Sequence, residues 1–217
     1  MIRTIQLYKK LLHKIKAYIF KKVAKIWMSY IFSKEYLRFQ RKVYSEKMKT
    51  SFYVCGINFK MDPYARIIGG EYIKIGDNFS ILSGSRIEAI SEFQNTHYKP
   101  DLVFGNNVCI GTDFHVGCIN KVTIGNNVLM ASKIFITDHY HGEISSKDVN
   151  IPPVERKLSS KGPVIIEDNV WIGEGVVILP GVTIGKNSIL GANSVVNKSC
   201  PSNSVLAGAP AKIIKTI

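Results

Sequence analysis

Asp138 and His139 stand side by side where a long regular pattern breaks, and His141 follows two residues later. Histidine is the side chain best suited to taking and returning one proton near neutral pH. The group therefore points to general acid–base chemistry on a weak nucleophile such as a hydroxyl. His139, where the loop leaves the regular pattern, is a candidate base. His141 is the alternative base, a contact to the acceptor molecule, or a residue that only hydrogen-bonds within its loop. Asp138 and Asp113 are candidates to orient an imidazole or to bind acceptor hydroxyls, although a loop aspartate more often shapes a turn. Asn120 is a further acceptor-side candidate. His115 falls inside the regular pattern and is read as a surface group unless it faces the same cleft, and His97 and His13 are read as structural or solvated. The four cysteines, Cys55, Cys109, Cys118 and Cys200, show no CxxC spacing. That argues against a disulfide framework or zinc site and for reduced thiols in a cytosolic protein. His139 and His141 also lie too close in one loop for three histidines converging on zinc across a subunit interface, so no metal is expected.

The pattern that breaks at Asp138 has a period of six. Ile166, Ile172, Ile178, Ile184, Leu190 and Val196 are all aliphatic, and Val164, Val170, Val176, Val182, Ser188 and Ser194, two residues before each, are aliphatic or small. Six matches neither a free-standing helix nor one simple strand. A stack of triangular coils fits it, with three hexapeptides per coil, short parallel strands as sides, aliphatic residues pointing inward and glycine or small residues at the corners. One coil cannot bury its own face, so coils must stack. Earlier rows run through Ile75, Ile81 and Ile87, then Phe104, Ile110, Val116, Val122, Val128 and Ile134. Three interruptions stand out. Ser91–Pro100 loops out, two extra residues bulge near Cys118–Lys121, and residues 137–163 form a long protruding loop, which in a compact repeat points to function.

The net charge of +13 is uneven: residues 1–50 hold 14 Lys/Arg against two Asp/Glu, and residues 51–217 hold 15 against 14. Within residues 2–31, Ile5, Tyr8, Leu12, Ile15, Ile19, Val23, Ile26 and Tyr30 recur at helical steps, with Arg3, Lys10, Lys14, Lys21 and Lys25 on the opposite side. Such a helix suits an anionic membrane interface, or packing on its own domain or a neighbouring subunit. Lysines break every apolar run, so it is a poor membrane span, and no secretory signal precedes it. Its aromatics follow the apolar stripe, which argues against a nucleic-acid platform. Residues 33–54 read as a weaker helix or connector. The expected division is a basic helical arm over 1–54 and a repeat domain over 55–217.

Val170-Trp171-Ile172-Gly173, Ile178-Leu179-Pro180-Gly181-Val182-Thr183-Ile184-Gly185 and the Ala207–Lys212 tail, with the hexapeptide rows, resemble the hexapeptide-repeat acyltransferases of the galactoside/maltose acetyltransferase group. Ile136-Thr137-Asp138-His139-Tyr140-His141-Gly142 and Ser160-Lys161-Gly162-Pro163-Val164 look like the sugar O-acetyltransferases of bacterial surface-polysaccharide clusters, those of O-antigen and capsule. The resemblance covers roughly residues 55–217. It implies a mainly β fold, a left-handed parallel β-helix of hexapeptide repeats. It also implies a homotrimer and acetyl-CoA as donor lying between two subunits; the reduced thiols and the basic arm point to a cytoplasmic setting, with the inner face of the cytoplasmic membrane as a further place for the arm. His139 matches the catalytic histidine. For the cofactor the match runs over Gly173, Glu174, Ala192, Asn197, Lys198, Lys212 and Lys215. Asn197 departs from the Thr of a Thr-Lys pair, Glu174 replaces a small polar residue, and Lys212 and Lys215 stand where arginine is frequent, keeping charge but losing the bidentate fork. Trp171 either walls the site or packs a corner. The rivals are an N-acyltransferase on an amino-sugar nucleotide and a nonenzymatic β-helix scaffold.

Overall fold

The computed structural model describes residues 2–31, 33–143 and 148–217. The chain forms two compact units, Met1–Lys42 and Val43–Ile217. The larger begins ahead of the 54/55 boundary expected from the repeat, because the end of a helix belongs to it. That helix, α2, spans Lys34–Lys49.

The larger unit is a parallel β-helix with three faces. Two faces are six-stranded, and the middle one has eight strands because the chain ends in a hairpin there. Each coil visits the faces in turn. The coil from Lys121 to Thr137, for instance, runs through strands Lys121–Ile124, Leu129–Met130 and Phe135–Thr137. The inward row is as the period of six requires: Val164, Ile166, Ile172, Val176, Ile178, Ile184 and Ser188 are all fully buried. Aromatics fill the core of the coils near the start, with Phe59 stacked on Phe79 at 5.7 Å and Phe79 edge-on to Phe104 at 5.2 Å.

The corners follow different rules. Between the first and second faces every coil carries an asparagine in the left-handed region: Asn58, Asn78, Asn107, Asn127, Asn169, Asn187 and Asn203. Asparagine tolerates that conformation better than most residues. Each Nδ2–H donates to the Oδ1 of the next, from Asn58 to Asn203, at 2.8 to 3.1 Å. The glycine two residues ahead of most of these has another task. A Cβ on Gly105 would lie 2.7 Å from the backbone of Gly125 on the next coil, so glycine there permits close stacking and makes no left-handed turn. The second corner has one positive-φ residue per coil, but of changing type: Tyr64, Gly84, Asp113, Lys133, Gly175 and Asn193. The third corner, between the third and first faces, changes length from coil to coil. It holds all three interruptions.

Both ends are closed. At the start Tyr44 and Met48 of α2 pack on the core, and Ser45 accepts from the Met61 N–H at 2.9 Å. At the finish Ser204–Gly208 pairs antiparallel with Ala211–Thr216. The smaller unit contains α1, Ile2–Ile31, with no acidic residue. It is about 45 Å long at 1.5 Å per residue. Leu12, Ile19, Val23 and Trp27 are exposed on it.

Candidate active site

The site is built at the third corner, where the strand Phe135–Thr137 ends. Asp138 is fully buried. Its carboxylate lies against the two-residue bulge of the preceding coil and accepts from the backbone N–H groups of Ile119 at 2.9 Å, Asn120 at 2.8 Å and Lys121 at 2.9 Å. The bulge is thus a cup of amides that holds an anion away from water. Burial by itself pushes the Asp138 carboxyl up. The bond to His139 and the amides of Ile119 and Asn120 outweigh it, so the group is held below the usual carboxylate range.

The same carboxylate fixes His139. Asp138 Oδ1 lies 2.9 Å from Nδ1 of the imidazole. A buried carboxylate is acceptor-only, so Nδ1 carries the proton and Nε2 carries the lone pair. Thr137 clamps the backbone beneath: its Oγ1 accepts from the His139 N–H at 3.2 Å and donates to the His139 carbonyl at 3.1 Å. Among the described residues no group hydrogen-bonds Nε2, although the side chain is only 10% exposed. The imidazole lies over Gly117, where an added Cβ would come 3.0 Å from Cε1 and 3.7 Å from Nε2. Gly117 therefore leaves room for the ring. A ring with Nδ1–H pinned and Nε2 free is arranged to accept a proton.

Beside it, on the same outer face, is a second cluster. Glu88 pairs in register with Gly117, and Arg86 with His115. The half-buried His115 ring packs on Phe135 at 4.9 Å and sets Nε2 3.2 Å from Glu88 Oε2. Burial holds the His115 pKa below its ordinary value, against the raising effect of Glu88.

The two longer interruptions meet. The Glu92–Phe93/Thr96–His97 hairpin touches the hairpin formed by Tyr140–His141 and Leu158–Ser159. Phe93 is edge-on to His141 at 5.3 Å, and the Leu158 N–H donates to Tyr98 Oη at 2.9 Å. Together they make a wall beside His139.

The acceptor role expected for Asp138 is corrected: it has no accessible surface, and its oxygens are taken by three amides and His139. Asn120 serves the site through its backbone N–H, while its residue surface is exposed. Asp113 sits at the second corner in the left-handed region, a turn residue away from His139. Of the cofactor candidates, Gly173, Glu174 and Ala192 lie at the second corner, Asn197 and Lys198 at the third, and Lys212 and Lys215 on the terminal strand. Glycine at 173 is required by the next coil, since a Cβ there would meet the Ala192 nitrogen at 2.7 Å. Thr137, Gly117, Glu88, Arg86 and the amide cup were not anticipated. Only the two-residue bulge signalled the last of these. Among the described residues no group of three or more His, Cys, Asp or Glu could hold a metal ion.

The bacterial transferase hexapeptide (six repeats) model matches residues 163–198. Over 147 residues the chain is 44% identical to "Putative lipopolysaccharide biosynthesis O-acetyl transferase WbbJ" of Escherichia coli K12, covering 66% of this chain and 71% of that one. The chain belongs to the hexapeptide-repeat acetyltransferases. Among solved structures, a galactoside acetyltransferase in complex with coenzyme A superposes with a TM-score of 0.50 at 31% identity, covering 79% of this chain and 68% of that one. A point mutant of AntD, an N-acyltransferase from Bacillus cereus, superposes at 0.63 with 22% identity over 79% and 87% of the two chains, a likeness of fold alone. The coil of this acetyltransferase-family chain is the left-handed parallel β-helix that its motifs imply.

Proposed function

We propose that this acetyltransferase moves an acetyl group from acetyl-CoA to a hydroxyl of a sugar in a surface glycan or its lipid-linked precursor, with His139 as general base. The observation that carries the reading is the Asp138–His139 pair, with Nδ1 bound at 2.9 Å to a carboxylate held by three amides. His139 Nε2 accepts the hydroxyl proton while the sugar oxygen bonds to the thioester carbonyl carbon. As the C–S bond breaks, Nε2 returns that proton to the CoA sulfur. The buried Asp138 carboxylate stabilises the imidazolium that exists between these events.

The cofactor contacts are assigned as part of the same proposal. Lys198, Lys212 and Lys215 are exposed and make no ion pair among the described residues, which suits the CoA phosphates. Ala192 offers a small exposed surface to the pantetheine arm, and Gly173, Glu174 and Asn197 complete the wall. Gly173 and Ala192 are a whole face away from His139. A homotrimer, in which one copy supplies the second corner and its neighbour the third, brings both sets together. His141, on the hairpin wall, and the Asn120 side chain are placed on the acceptor side. Acetyl-CoA as donor places the reaction in the cytoplasm.

A His139→Ala variant tests the base. Turnover should fall by about 10²–10⁴-fold with thermal melting unchanged; a folded variant with normal turnover sinks the assignment.

The N-terminal arm is assigned to the inner face of the cytoplasmic membrane. No helix among the described residues is long and apolar enough to cross a membrane. α1 carries lysines and exposed apolar side chains along one length, the composition of a helix lying in an anionic interface, where each basic residue contributes about 1 kcal/mol. Removing residues 1–31 should abolish cosedimentation with vesicles containing phosphatidylglycerol. Unchanged cosedimentation rules the assignment out.

A further inference from the structure

The cluster next to His139 is rich in donors that the fold itself does not use. Glu88 is nearly buried, at 8% side-chain exposure, and both its oxygens are engaged. Arg86 Nη2 lies 3.1 Å from each oxygen, His115 Nε2 lies 3.2 Å from Oε2, and Arg66 Nε lies 3.5 Å from Oε1. Two guanidinium groups therefore face one carboxylate, beside a histidine whose protonation burial disfavours. The balance is positive. Arg66 is 64% exposed and Arg86 49% exposed on their side chains. Neither terminal nitrogen of Arg66, nor Nη1 of Arg86, meets a protein acceptor among the described residues. Glu88 has no oxygen left over for a sugar hydroxyl. What the cluster still offers is a fork of N–H groups in the geometry that binds oxyanions.

Position makes the cluster relevant to catalysis. Arg66, Arg86 and His115 are in register on successive coils, as are Ile68, Glu88 and Gly117. Gly117 is the floor beneath the His139 ring. Neighbouring strands are about 4.8 Å apart, and both guanidinium groups reach the Glu88 carboxylate, whose residue is one strand from that floor. A sugar with its hydroxyl at His139 Nε2, beside the imidazole that covers Gly117, reaches them without leaving the outer face.

We propose that Arg66 and Arg86 bind an oxyanion carried by the acceptor, so that this enzyme acetylates an anionic glycan unit in preference to a neutral one. Glu88 holds the two arginines in place, and His115 supports Glu88. The inference rests on the function proposed above, because it places the acceptor hydroxyl at His139. The oxyanion is either a carboxylate on the sugar ring or a phosphate of the linkage to a nucleotide or lipid carrier. Both are ligands that the arginine fork can bind through paired N–H groups.

Equilibrium binding to the full-length protein separates these sources. The probes are glucuronate, galacturonate and N-acetylneuraminate, with glucose, galactose and N-acetylmannosamine as neutral references, and UDP-glucose against glucose. The wild type should bind at least one anionic probe tenfold or more tightly than its neutral reference, with the difference shrinking as salt rises. The responding arm assigns the source. Arg66→Gln should reduce that preference about threefold, and the double variant with Arg86→Gln should abolish it. Arg66 makes one long contact, so its variant remains a test even if the Arg86 change prevents folding. Equal binding of anionic and neutral probes, or a preference that survives Arg66→Gln undiminished, overturns the inference. Normal acetyl-CoA turnover in a folded His139→Ala variant, with the binding preference intact, would instead overturn the proposed function and leave the anion site standing.

Discussion

Two corners of the same coils are built on opposite principles. At the first corner one solution recurs on every coil: an asparagine in the left-handed region whose amide donates to the next, from Asn58 to Asn203. At the third corner successive coils differ. One has a single turn of 3-10 helix at Gly70–Tyr72, the next a hairpin around Gln94, the next the amide cup of Ile119–Lys121, and the next the long excursion that begins at Asp138. Coil spacing is held by the ladder and the inward rows, so the third corner can change length without losing register. Variation tolerated there gave chemistry a place to reside. If that division is right, damage at the third corner should cost rate more than stability, and damage at the first corner the reverse.

The largest departure is expected from Asp138→Asn, which keeps the shape and removes the charge. The amide leaves at least one cup N–H without an anion and can present its NH₂ to His139, favouring the wrong tautomer. Turnover should fall by about 10²–10⁴-fold. This residue also tests whether the two corners separate cleanly, since loss of buried hydrogen bonds costs about 1–3 kcal/mol. The sign with pH is fixed. The folded carboxyl is held below its usual value, so its contribution is complete above the unfolded value of about 3.9 and disappears as pH falls from there through the folded value. Acid unfolding of the wild type should be steeper below pH 4 than that of the variant. Superimposable acid limbs would show that the cup does not hold a carboxylate.

Gly117→Ala comes next. The added methyl would stand 3.0 Å from Cε1 of His139, inside ordinary contact. The imidazole must shift by a few tenths of an ångström, and misplacement on that scale costs about tenfold in turnover. Affinity for acetyl-CoA and the melting temperature should change little. An unaltered rate would mean that the ring does not rest on Gly117 during turnover.

The inward rows, the interruptions and the Asp138–His139 position were legible in the sequence, because each is local: a period of six, or its failure. The ladder was not. Asn107 and Asn127 look like ordinary turn residues until coils of unequal length are set in register, and that register depends on how far each third corner protrudes. The same difficulty hid Glu88 and Arg86, whose place beside the site shows only when Glu88 is found opposite Gly117. The bulge at Cys118–Lys121 was visible as two extra residues, but nothing local showed that its three amides point at one carboxylate. Burial decided the role of Asp138, and burial there depends on a neighbouring coil.

The smallest effect on turnover belongs to the ladder, and two substitutions at one position separate the causes of its stability. Asn127 receives the amide of Asn107 at 2.8 Å and donates to Asn169 at 3.0 Å, at a φ of 56°. Asn127→Gly keeps the backbone at ease and removes both side-chain bonds. These are exposed to water, so the loss should be about 0.5–1 kcal/mol. Asn127→Ala removes the same bonds and adds the left-handed penalty of a Cβ that has no local hydrogen bond, about 1 kcal/mol more. Denaturant unfolding should therefore rank wild type above Gly and Gly above Ala, while turnover per folded molecule stays constant across the three. Equal stability of the Gly and Ala variants would assign the corner to the amide chain alone. A fall in turnover that tracks stability would mean that the first corner reaches His139 through the coil, and that the two corners are not independent.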